Sequence, residues 1–370
     1  MGRWGGVRAA GMSLLMAVIA LSALRAAAQA TEAPQNQKKL IPRTTEQVAK
    51  QREDERHIAL DVVVTDGAGK PVSGLEQQDF TILDNDHPQQ LLSFKAVEGP
   101  KADPPVEMVL VIDLVNTTFH NVAYERDQLA KFLRQNNGKL AYPTSLIIFG
   151  ETGTQVQPHP TRDGNDLANL LESTNSSLRV IGRSAGFYGA EERLQGSYQM
   201  MNQLVAYEGS KPGRKLVIWL SPGWALLEGP SVQFSTQSLH AFFHSIVDFT
   251  NLLRTSRMTL YVVDPTGGDG NVMHTFYYES YLKGIKKWGD AGPGNLALQV
   301  LTMHSGGRVM NVGSDIVGEL NACVEDAAAY YEMSFMAAPA ERADEYHALT
   351  VKVNRPGLKA RTNTSYYGQP

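Results

Sequence analysis

A serine framed by glycines, Gly182-Arg183-Ser184-Ala185-Gly186, matches the G-x-S-x-G spacing of a nucleophile elbow, where a sharp turn presents a hydroxyl for acyl transfer. Asp264 and His304 come later in the chain, in the order Ser, Asp, His of α/β hydrolases. The surroundings argue the other way. An elbow needs a buried strand running into the serine and a packed helix leaving it. Here Ser176-Ser177-Leu178-Arg179-Val180-Ile181 is short and broken by a charge, and Gly186 and Gly189 interrupt the stretch on the other side. No HGGG-type oxyanion segment precedes it. The expectation for Ser184 is a loop hydroxyl, with a hydrolase built on Ser184, Asp264 and His304 as the alternative.

A second set of oxygens comes directly after the apolar run Val106–Ile112, in Asp113-Leu114-Val115-Asn116-Thr117. An acid at a strand end with a hydroxyl four residues on presents two hard ligands to a divalent cation such as Mg²⁺. His240 and His244 have the i, i+4 spacing of zinc-binding helices, but Ala241 stands where the general base would be, so a solvated face is expected. The segment after Asp264 is acidic and glycine-rich, yet lacks the spacing and closing Glu of a calcium loop, and reads as a turn. Beyond it, residues 271–295 form a long insertion carrying Phe276, Tyr277, Tyr278, Tyr281 and Trp288. Loops this long are functional or disordered more often than not. Two roles stand open for the rings: a hot spot for a protein partner through Tyr277 and Tyr278, or a local core folded over a sheet.

The elements that must position these groups are set by hydrophobic periodicity. Ile58, Leu60, Val62 and Val64 alternate as in a half-buried strand, and short β pieces continue to about residue 100. From residue 105 the style changes. "VEMVLVI", "LIIF", "LVIWL" and "MTLYVV" are continuous apolar runs, the mark of strands buried on both faces. Helical patterns lie between them, the clearest with Leu239, Phe242, Phe243, Ile246, Phe249 and Leu253 on one stripe. Alternating strands and helices imply a doubly wound α/β fold with a mainly parallel sheet. Residues 330–370 return to β pieces expected to join the N-terminal ones in a small β-sandwich element. The reading is thus 58–100 β element, 105–329 α/β domain and 330–370 C-terminal β segments. In such a sheet ligands sit beyond the carboxyl ends of the strands, which singles out Asp113, Ser221 and Asp264.

Bulk properties narrow the function. Arg3 and Arg8, the apolar run 11–24 and Ala28-Gln29-Ala30 form a signal-peptide pattern over residues 1–30. The run is short for a bilayer span, so an exported chain, periplasmic or secreted, without a transmembrane helix after cleavage is expected. Residues 31–57 are polar and read as a linker. The 370 residues carry a net charge of −4 and no basic run, which argues against nucleic acid. The single cysteine, Cys323, lies in an apolar helical pattern, so no internal disulfide is expected.

Asp113 at a strand end, a helix, a second strand, Gly182-Arg183-Ser184 and then "GRKLVIWLSPG" together resemble a von Willebrand factor A-type domain. The stretch "VVVTDGAGKPVSGLEQQDFTILDNDHPQQLLSF" and the tail "YYEMSF…YHALTVKVNRPGLKARTNTSYY" add a likeness to von Willebrand A-related proteins of the Acidobacteria type. The resemblance implies a Rossmann-like fold and a non-enzymatic adhesion, protein-binding or scaffold module. It implies a metal-ion-dependent adhesion site in degenerate form. Asp113 matches the first acid, Thr117 the second hydroxyl and Ser184 the later one, while Val115 replaces a serine ligand and Pro222 an acid. The implied partner contacts are Asp113, Asn116, Thr117, Ser184 and Ser221, with no cofactor beyond a divalent cation.

Overall fold

The computed structural model describes residues 45–117, 119–150, 153–157, 159–173, 186–227, 233–265, 276–310 and 315–370. The signal pattern and Ser184 lie outside them. Thr45–Arg56 is a helix, α1, where the sequence reading expects a linker. Its Glu, Gln, Lys and Arg are good helix formers, and Lys50 and residues 52–55 face solvent without an apolar stripe. The chain from Lys50 onward forms one compact unit.

Its centre is a seven-stranded sheet. The strands are β5 (Glu107–Asp113), β6 (Lys139–Gly150), β7 (Gly153–Val156), β8 (Thr161–Asp163), β9 (Lys215–Leu220), β10 (Met258–Val263) and β11 (Arg308–Met310). The order is β11-β10-β9-β5-β6-β7, with β8 on β6. Strands β5, β6, β9, β10 and β11 pair in parallel, while β7 and β8 are antiparallel to β6. This is the doubly wound order 3-2-1-4-5-6, which reverses between β5 and β9. Each continuous apolar run serves two cores. Met108, Leu110 and Ile112 face α2 (Phe119–Leu133), α3 (Gly164–Ser173) and α7 (Ile316–Glu325). Val109, Val111, Val217 and Trp219 face α4 (Gly186–Gly209), α5 (Thr236–Thr255) and α6 (Leu298–His304).

Helix starts obey local chemistry. Ser235 caps α5 by accepting from the Ser238 amide, and Asp315 caps α7 by accepting from the Gly318 amide. Gly307 lets the chain pass against β10, since a Cβ there would lie 1.6 Å from the Leu260 carbonyl oxygen.

The two ends of the chain build a β-sandwich. One sheet is β14-β1-β12-β4 and the other β15-β13-β2-β3. The strands are β1 (His57–Thr65), β2 (Phe80–Asp84), β3 (His87–Gln89), β4 (Leu91–Glu98), β12 (Ala329–Met336), β13 (Glu345–Val353), β14 (Lys359–Arg361) and β15 (Ser365–Gly368). Ile58, Leu60, Val62, Phe80, Ile82, Tyr331, Phe335 and Tyr366 fill the space between them. The sandwich and α/β layers share residues: Tyr367 of β15 packs in the α4/α5/α6 core and donates from its hydroxyl to the Ile285 carbonyl, 2.8 Å away.

Candidate functional site

Asp113 ends β5 at the reversal point of the strand order and is fully buried. Its Oδ1 accepts from the amides of Val115 (3.0 Å) and Asn116 (2.9 Å). Its Oδ2 accepts from Asn116 Nδ2 (2.9 Å), Trp219 Nε1 (3.1 Å) and Ser221 Oγ (3.0 Å). The acid thus ties its own turn to the end of β9. Burial raises its pKa, and the hydrogen bonds from Asn116, Trp219 and Ser221 oppose that. Asn116 extends the network to Ser197 Oγ on α4, 3.0 Å away. Ser221 Oγ also accepts from the Gly223 amide at 3.1 Å.

Beside this hub Thr117 donates to Glu125 Oε1 on α2 at 2.8 Å, and both side chains are buried. Desolvation lifts Glu125 to a pKa of about 8, with the charges of Asp113 and Asp264 adding to the rise. Glu125 is therefore largely protonated at neutral pH. Sequence reasoning passed over it because a lone acid in Tyr124-Glu125-Arg126 has the look of a solvated helix face. Trp219 and Ser197 escaped for a similar reason, as one sits in an apolar run and the other in a polar helix.

The cation implied by the resemblance does not fit Asp113 and Thr117 as arranged. Asp113 Oδ2 faces an indole N–H and an amide N–H₂, which only donate. Thr117 offers its hydroxyl to Glu125, and Val115 supplies no side-chain oxygen. Ser184 lies outside the described residues. A cation at Asp113 would have to displace fixed donors that carry no lone pair.

Asp113, Asn116, Thr117, Ser221 and Asp264 lie at the carboxyl edge. The sequence reading expects an exposed contact rim there. Asp113, Thr117 and Ser221 are buried, so they form a floor and present no contact surface. Tyr278, expected as a partner contact, is buried against Ala297 and Val300, and Tyr277 is half-buried with its hydroxyl 3.3 Å from Gln299 Oε1. Gln299 in turn donates to the Pro222 carbonyl at 3.0 Å. Tyr277, Tyr278 and Tyr281 of the insertion fold back because short 3-10 turns at Tyr277–Tyr281 and Pro293–Leu296 press them onto α6. Among the described residues, exposed apolar side chains near this edge include Tyr188 at the start of α4 (81% exposed), Leu226 after β9, and the insertion's own Phe276.

His304 is not at the edge. It ends α6, and the next residue, Ser305, accepts through Oγ from the Leu260 amide early in β10. Asp264 lies past the far end of that strand, where its amide donates to the Met310 carbonyl. Four residues of strand span about 13 Å, whereas acid and base in a triad must touch. His304 Nδ1 instead lies 2.5 Å from Thr364 Oγ1, and desolvation lowers its pKa to about 4. His240 stacks on Trp288 with ring centroids 4.3 Å apart, a packing role in place of the expected free face.

No protein-family model matches the chain, and no curated protein matches it in sequence. Several solved structures share parts of its outline. They include the manganese-loaded TRAP protein of Plasmodium vivax (11% identity, 76% of this chain and 100% of that one, TM-score 0.34). Others are the SpRpn10 VWA domain (10%, 58% and 94%, 0.26) and the SpaC pilus adhesin of Lactobacillus rhamnosus GG (12%, 80% and 43%, 0.33). The fold stands on its own strand order, independently of these partial likenesses. Among the described residues no helix is long and apolar enough to cross a membrane.

Proposed function

We propose that this chain is an exported, non-enzymatic von Willebrand A-like module that binds a protein partner over the carboxyl edge of its sheet. One observation carries the reading. At the reversal point of a 3-2-1-4-5-6 sheet, Asp113 locks the ends of β5 and β9 into one rigid floor beneath exposed apolar residues on neighbouring elements. Reversal points are where open α/β sheets take their ligands. Exposed rings on a preorganised support are what protein partners bury as hot spots.

Tyr188, Leu226 and Phe276 supply the apolar contacts in this reading. Recognition is independent of a divalent cation, because Asp113 spends both oxygens on fixed donors. The separation of Asp264 from His304 along β10 weighs against the hydrolase alternative.

Cross-linking of the purified mature chain in envelope extracts tests the proposal. A discrete partner is expected that survives EDTA and is lost when Tyr188, Leu226 and Phe276 are all replaced by Ser. A fluorophosphonate probe is expected to leave Ser184 unlabelled. Stoichiometric labelling at Ser184, or a partner retained by the triple variant, would sink the reading.

A further inference from the structure

We infer that the cleft between the sandwich and the amino edge of the α/β sheet is a binding site for a small anionic group, a carboxylate or a phosphate, received by Arg254. The cleft has a volume of about 160 Å³ and is lined by residues of β1, β4, α5, β10 and β12, with Asn363. It lies at the opposite end of β10 from Asp113, so it does not depend on the proposed docking edge.

Arg254 sits in the last turn of α5 and is 8% exposed. Among the described residues no acid and no hydrogen-bond acceptor reaches its guanidinium, and its Nε is buried without a partner. Its one close contact of note is the ring of Tyr366, with the guanidinium carbon 5.9 Å from the centroid. A cation–π contact at that distance is weak against the cost of removing a charge from water. Desolvation accordingly drags the guanidinium down to a pKa of about 10.

The other charges of the cleft are spoken for. Arg257 forks onto Asp61 through Nε (3.1 Å) and Nη2 (2.6 Å) and also reaches Glu332 at 2.7 Å. Both carboxylates of the lining, Asp61 and Glu332, are thus held by Arg257, and Arg254 pairs with neither. Ser93, Thr259, Ser334 and Asn363 line the same cleft with short polar side chains. A planar guanidinium fork with hydroxyls and an amide nearby matches the donor pattern that carboxylates and phosphates take. A buried cation without an acid partner is costly, and an arriving anion relieves that cost.

Thermal unfolding of the mature chain at pH 7 and fixed ionic strength tests this, with chloride exchanged for phosphate in one arm and for acetate in the other. A saturable rise of several degrees in at least one arm is expected, and the arm that responds identifies the source of the anion. Arg254→Met is expected to abolish the response and, in chloride, to melt at or above the parent, since an apolar chain replaces an uncompensated charge. Absence of a saturable rise in both arms overturns the proposal. So does a rise undiminished in Arg254→Met, or a lower melting point of that variant in chloride. Should Arg254→Met fail to fold, Arg254→Lys is expected to weaken anion affinity about tenfold, losing the fork while keeping a charge. Unchanged affinity in Arg254→Lys overturns it equally.

Discussion

Asp113 accepts more hydrogen bonds than any neighbour described at the site, and its replacement measures what the hub contributes. Asparagine at 113 sets an N–H₂ against existing donors, so Asp113→Asn is expected to cost about 2–4 kcal/mol in urea unfolding. The emission of Trp219 should shift, because its indole N–H loses an acceptor. Glu125 gives a pH-dependent signature. Its folded pKa of about 8 stands above the ordinary 4.5, so its protonated form favours the native state. Its contribution is complete below about pH 4.5 and is lost as pH rises through about 8. Asp113, also raised, acts in the same direction. Glu125→Gln keeps an oxygen for Thr117 and never ionises. It is expected to flatten the decline between pH 5 and 8 and to stabilise the chain at pH 8 by on the order of 2 kcal/mol or more. An unchanged slope in pH-dependent unfolding would refute that assignment. At this scale the sequence revealed Asp113, Asn116, Thr117 and Ser221 because each stands just past a continuous apolar strand. It concealed Glu125, Ser197 and Trp219, whose roles arise only when α2, α4 and β9 meet.

The turn after β9 holds a glycine for two independent reasons. Gly223 has φ of +109°, and a Cβ would lie 2.3 Å from Gln299 Nε2. Gly223→Ala is expected to destabilise by roughly 1–3 kcal/mol and to loosen the link from Pro222 through Gln299 to Tyr277. A weaker partner affinity with intact fold, read by titration calorimetry, would place that turn in recognition. The aromatic insertion behaves as a small core: Tyr278→Ala should cost about 3–5 kcal/mol by leaving a cavity against Ala297 and Val300. Stability unchanged in that variant would return Tyr278 to the role of a surface contact. The elements themselves were mostly legible. Met258–Val263 has the same bounds in sequence and structure, since an unbroken apolar run bounded by polar residues has only one way to be buried. Helix α4 begins at Gly186, and its first turns bury Leu194 and Ser197 among mostly polar residues, too few apolar positions to make a stripe.

The sandwich and the α/β layer are bound by more than the backbone between them. Arg257 at the start of β10 holds Asp61 of β1 and Glu332 of β12, and Arg361 holds Asp326 just after α7 at 2.7 Å. Tyr366 packs in the sandwich core while Tyr367 packs in the other. A single calorimetric transition is therefore expected, with the ratio of van't Hoff to calorimetric enthalpy near unity. Two resolved transitions would show that the layers are energetically separate. The sequence announced both architectures but not their joinery, because arginine–carboxylate pairs far apart in the chain leave no periodic trace.

One such long-range arrangement governs how the molecule comes into being. Strand β12 lies between β1 and β4 and pairs with both. Synthesis delivers β1 and β4 long before the strand that separates them. Until Ala329–Met336 emerges, those two early segments carry unsatisfied edges, vulnerable to wrong partners and in need of shelter from a chaperone.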